Sequence, residues 1–126
     1  MSAERRPALT GGLLLLGALA FAAEIVLFAA VGIAGWVLWE GVVGLFIAAV
    51  CVIALVVVWA LWLAPRSSRR LRFGPRLALA TVLYAIPVLL LVGEPEWRAW
   101  VLIVAVAWLV HLATAFALRT SEGAEL

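Results

Sequence analysis

Four long apolar stretches decide what this chain can fold into. A helix needs about 20 mostly apolar residues to cross a hydrocarbon core of roughly 30 Å. Ala8 to Trp39, Gly41 to Pro65, Leu77 to Val92 and Ala99 to Leu118 meet or approach that length, and Glu24 is the only formal charge inside them. The composition agrees, with 68% hydrophobic and 13% charged residues, against about 45–50% and 25% in a soluble domain. A chain this small has too little interior to hide so much apolar surface from water. One cysteine excludes a disulfide scaffold.

These features predict a single all-α domain over residues 1–126, a polytopic membrane protein built as a four-helix transmembrane bundle. The spans are expected at about 9–36, 42–64, 77–92 and 99–118, with a basic loop over 65–76. The first stretch exceeds one bilayer, so its ends lie among headgroups or it bends, and Gly32 and Gly35 are the expected places for it to loosen. Pro87 removes one backbone hydrogen bond from the third span and frees the carbonyl of Leu83. Arg5, Arg6 and the small residues around Ala20–Ala22 resemble a signal peptide, but the apolar run continues to Trp39 and reads as a span.

Orientation follows from the arginines, because positive residues near span ends stay in the cytoplasm. With four spans, both termini and the middle loop share one side. That side holds Arg5, Arg6, Arg66, Arg69, Arg70, Arg72, Arg76 and Arg119, and the other holds only Arg98. The predicted setting is a bacterial inner membrane with both termini cytoplasmic. Tryptophan, which prefers the water–lipid boundary, gives an independent check. Trp36, Trp39, Trp97 and Trp100 fall at outer span ends, Trp59 and Trp62 at an inner end, and only Trp108 at mid-depth, where a packing or lipid-facing ring is expected.

Glu24 is the most informative residue. A charged side chain at mid-bilayer costs roughly 3 kcal/mol on insertion scales, so this carboxyl is protonated or paired. Two roles are open: a hydrogen bond that locks neighbouring helices together, or a proton-coupled site. Gly17 and Ala20 lie on the same helix face and are expected to let a second helix approach closely. His111, the only histidine, sits in the fourth span and can pair with Glu24. Thr81 and Tyr84 lie in the same half of the third span, which gives a candidate binding or proton site of Glu24, Thr81, Tyr84 and His111.

Arg66, Arg69, Arg70, Arg72 and Arg76 are candidates for anionic lipid headgroups or a protein partner, at about 1 kcal/mol per charge. Cys51 and a lone histidine cannot furnish a closed metal site. No phosphate loop, zinc motif or catalytic triad is present, so no enzymatic activity, cofactor or nucleic-acid partner is expected. Membrane lipids, a second copy or a membrane protein are the expected partners, with Gly32, Gly35, Gly41 and Gly44 as close-contact points for a homodimer.

Two resemblances bear on function. The segment G-A-L-A-F-A-A-E ending at Glu24 resembles the first span of small multidrug-resistance transporters, whose antiparallel dimers need balanced positive charge; the one-sided arginines depart from that pattern. More of the chain is similar to the YrdB-like family of uncharacterised four-span bacterial membrane proteins. The shared features are F-A-A-E-I at Phe21–Ile25, V-W-A-L-W-L-A-P-R at Val58–Arg66, and P-R-L at Pro75–Leu77 after an arginine-rich loop. That resemblance implies the four-span architecture and brings no activity with it. It also implies an acid at the position of Thr81, which this chain lacks. The expected function is a non-enzymatic structural or interaction role in the inner membrane. The alternative is a small proton-coupled transporter or permease that uses the buried glutamate.

Overall fold

A computed structural model describes residues 11–122, so Arg5, Arg6, Glu4 and Glu125 lie outside the described residues. All regular elements among the described residues are helical. They are α1 (Gly11–Leu38), α2 (Gly41–Val58) continued by a π-helical turn (Trp59–Leu63), α3 (Phe73–Leu91), a short 3₁₀ turn (Pro95–Trp97) and α4 (Arg98–Glu122). Four helices are long and apolar enough to cross a membrane: Gly11–Leu38, Gly41–Leu63, Phe73–Leu91 and Pro95–Arg119. At 1.5 Å per residue, the 28 residues of α1 extend about 42 Å, beyond the hydrocarbon core.

The helices pack as an antiparallel bundle around α1, which lies along both α2 and α4 and also touches α3, while α3 packs on α4. Ala23, Leu27, Ala30, Leu55, Tyr84, Val104 and Ala107 form the shared core. Val42, Phe46, Leu89 and Leu102 point outward and are at least 70% exposed. Apolar side chains on every face of a helix are unstable against water and stable against lipid.

Gly32 and Gly35 do not loosen α1, which runs through them without a break. They pack instead. A Cβ on Gly35 would lie 2.8 Å from the Ala48 Cα on α2, and one on Gly32 would lie 3.2 Å from a Val52 methyl. The missing side chains bring two backbones together within one chain. Gly41 adopts φ +69° at the start of α2 and lets the chain reverse after Glu40.

At the opposite end, Pro65 shapes the exit from α2. Proline has no N–H, so the carbonyl four residues earlier, that of Leu61, loses its helical donor. The Ser67 hydroxyl takes that place, donating to the Leu61 carbonyl at 2.5 Å. The Ala64 N–H donates to the Trp59 carbonyl at 2.7 Å, one residue further along than an α-helix allows, and the Leu71 N–H donates to Trp62 at 3.0 Å. The basic segment is therefore a folded turn held against the bundle. α3 begins at Phe73, before the expected Leu77, which places Arg76 on the helix and leaves it only 8% exposed.

Candidate functional site

The polar residues of the spans gather near the end of the bundle that carries the basic turn. There, a cavity of about 390 Å³ is bounded by all four helical segments. α1 contributes Gly17, Ala20, Phe21 and Glu24; the π-helical turn contributes Trp59 and Leu63; the basic turn contributes Arg70. α3 adds Arg76, and α4 adds His111, Thr114 and Ala115. Gly17 and Ala20 do not draw a second helix close: a Cβ on Gly17 would meet nothing within 4 Å. Their small size leaves the cavity open, and the exposed Gly17 and Phe21 carry its wall to the bundle surface.

The Glu24 carboxylate accepts a hydrogen bond from the Trp59 indole N–H at 2.7 Å. This is at the short end for N–H donors, as a charged or strongly polarised acceptor produces. The Trp59 ring also stands edge-on to Phe28, with centroids 6.1 Å apart and planes at 87°. Trp59 keeps the α-helical register of α2, with αR dihedrals and its backbone N–H on the Leu55 carbonyl, so it is the last turn of α2 that aims the indole at Glu24. Arg70 lines the same cavity as this carboxyl group.

His111 shares the cavity with Glu24, but the partner of the Glu24 carboxylate is Trp59. The His111 ring lies 5.5 Å from the Tyr84 ring at a 43° tilt, and the buried His111 Nδ1 and Tyr84 hydroxyl each have no hydrogen-bond partner. Thr114, one turn on, donates to the Val110 and His111 carbonyls at 2.9 and 3.1 Å. Thr81 stands apart from the cavity and accepts the Trp108 indole N–H at 3.0 Å, which makes Trp108 a packing ring. Of the expected cluster, Glu24 and His111 line the cavity, Tyr84 packs on His111 from the core, and Thr81 serves the contact between α3 and α4.

The arginines divide in the same way. Arg66, Arg69 and Arg72 are exposed, whereas Arg70 and Arg76 line the cavity. Arg76 Nη1 donates to the Leu71 carbonyl at 3.1 Å, and its guanidinium lies 5.7 Å from the Phe73 ring centroid. Arg119 approaches the same ring at 4.8 Å, and Phe116 lies 5.1 Å from it. Phe73 thus orients two cations at the mouth of the bundle. Trp59 and Phe73 are the site residues that the sequence reading missed. Depth alone assigned Trp59 to the headgroup boundary, although an indole N–H next to apolar segments needs an acceptor, and Glu24 was the acid available.

No cluster of three or more histidine, cysteine or acidic residues suited to a metal occurs among the described residues. Fold and site together define a multi-pass α-helical membrane protein with a polar cavity set into the end of an apolar bundle. The chain belongs to a family of proteins of unknown function, DUF2568, which matches over residues 18–107. The match takes in Glu24, Trp59, Arg70, Arg76 and Tyr84 and ends before His111. No curated protein and no solved structure matches the chain.

Proposed function

We propose that this protein is a non-enzymatic, YrdB-like protein of the bacterial inner membrane that works by binding a partner at this cavity. Both termini and the basic turn face the cytoplasm in this reading, which the one-sided arginines support. The carrying observation is that a bundle with an apolar exterior and core places Glu24, Arg70, Arg76 and His111 around one open space. Polar groups at membrane depth are tolerated where they line a cavity or pair with one another, and they mark sites of interaction there. Beyond Glu24 the bundle is closed by Leu27, Ala30 and Val104, each at most 3% exposed, so the cavity is a blind vestibule. A blind vestibule suits binding better than passage.

The test is to fill the space. Ala115→Phe places a ring in the vestibule. Native mass spectrometry of protein extracted in mild detergent is expected to show a non-covalent species on the wild type that the variant lacks. Wild type and variant carrying the same species, or none, would refute the interaction role at this site.

A proton-coupled transporter is the second reading, favoured by Glu24 and His111 sharing one cavity. In vesicles loaded with a pH dye, that reading requires proton flux driven by small cations or hydrophobic amines in the wild type and its loss in Glu24→Gln. The binding role predicts no flux in either.

A further inference from the structure

The vestibule is lined by the Arg70 and Arg76 guanidinium groups, the Glu24 carboxyl group and the His111 ring, and Arg76 is the most firmly positioned of them. Arg76 is more than nine-tenths buried, and its direction is fixed by the Leu71 carbonyl on one side and the Phe73 ring on the other. An arginine presents five N–H donors in a planar fork that matches the oxygens of phosphate and carboxylate. A fork held in place by protein contacts loses little freedom when it takes a ligand. Arg70 faces the same space from the basic turn, whose position is set by Ser67 and Pro65. Arg119 adds positive charge beside Phe73. His111 and Thr114 also line the space, and the rest of the wall is apolar, with Phe21, Leu63, Leu77 and Leu118. The volume of about 390 Å³ falls within the roughly 300–1,000 Å³ of small-ligand sites.

We infer that the vestibule binds one phosphate-type anion, held by Arg70 and Arg76, with any apolar part of the molecule lying on the Phe21, Leu63, Leu77 and Leu118 wall. This inference rests on the reading of the vestibule as an interaction site and names its ligand class. Two sources share the chemistry: the phosphodiester of an anionic lipid, and free phosphate. A cation drawn to Glu24 is disfavoured by the Arg70 and Arg76 guanidinium groups that line the same space. Glu24, tied to Trp59, shapes the deep end of the space and repels the anion when charged.

The test uses the full chain in neutral detergent. It is titrated by native mass spectrometry with dioleoyl phosphatidylglycerol or dioleoyl phosphatidylcholine, and by calorimetry with inorganic phosphate. One phosphatidylglycerol per chain is expected to bind at concentrations where phosphatidylcholine does not. Arg70→Gln is expected to weaken that binding by about tenfold or more, the scale of a lost charge-assisted hydrogen bond. Arg76→Lys, which keeps the charge but not the fork, weakens it less, and Glu24→Gln, which removes the repelling charge, tightens it. Binding of phosphatidylglycerol alone assigns the lipid as the source, and Arg70-dependent binding of inorganic phosphate assigns the free anion.

Equal binding of the two lipids, together with no phosphate binding, would overturn the proposal, as would loss of binding in Glu24→Gln with retention in Arg70→Gln. If that happens while Ala115→Phe still displaces a co-extracted species, the anion assignment fails and the interaction role stands.

Discussion

Removing the Glu24–Trp59 hydrogen bond tests whether the site also holds the bundle together. The bond spans 35 positions of sequence and ties α1 to the π-helical turn after α2, with the donor and acceptor 2.7 Å apart in a partly buried setting. Hydrogen bonds to charged groups contribute about 1.5–3 kcal/mol in soluble proteins. Interhelical bonds inside membranes average about 0.6 and reach about 1.7 kcal/mol, because the unfolded chain finds other partners there. The short distance places this bond at the upper end of the membrane range, about 1–1.7 kcal/mol.

Trp59→Phe removes the N–H and keeps an aromatic ring against Phe28, and Glu24→Leu removes the acceptor while keeping bulk. Each single change also alters packing, so the quantity of interest is the coupling energy of the double-mutant cycle, in which those separate losses cancel. The assay is unfolding of the four proteins in mixed micelles with increasing sodium dodecyl sulfate, followed by far-ultraviolet circular dichroism. A coupling below about 0.3 kcal/mol, within the scatter expected of independent sites, would show that the contact does not stabilise the bundle.

Further outcomes follow from particular contacts. Gly35→Ala is expected to destabilise the protein by about 1–3 kcal/mol, because its Cβ meets Ala48 backbone that cannot move aside. Gly32→Ala should cost less than about 1 kcal/mol, since a Val52 methyl can give way; similar losses in the same unfolding assay would refute the close-approach account. Ser67→Ala leaves the Leu61 carbonyl without its donor and should cost about 1 kcal/mol while speeding tryptic cleavage at the basic turn, and an unchanged cleavage rate would count against the turn's fold. Thr81→Val removes the acceptor of the Trp108 N–H, and is expected to cost about 1 kcal/mol and to shift tryptophan fluorescence; an unaltered spectrum would contradict the assigned contact.

The spans were legible because crossing lipid demands only length and hydrophobicity, both of which run continuously along the sequence. Glu24 was legible for the converse reason, as an acid in a stretch that tolerates none cheaply. What the linear chain could not reveal was which polar group meets which. Glu24 and His111 share a cavity, yet the carboxylate goes to Trp59, because the packing of α1 against α2 brings the end of α2 beside it across 35 positions of sequence. Small residues were ambiguous in the same way. Gly17 and Gly35 look alike in sequence, but one opens a cavity and the other closes a helix pair.

Hydropathy is a local property and survives projection onto a line, so the sequence by itself determined the medium, the number of spans and the residues that are costly there. Contacts across helices depend on rotation, register and turn geometry, which belong to no single segment. Only the tertiary structure could decide that two arginines of the basic segment turn inward, that Arg76 is buried against Phe73, and that Glu24, Arg70, Arg76 and His111 line a shared space.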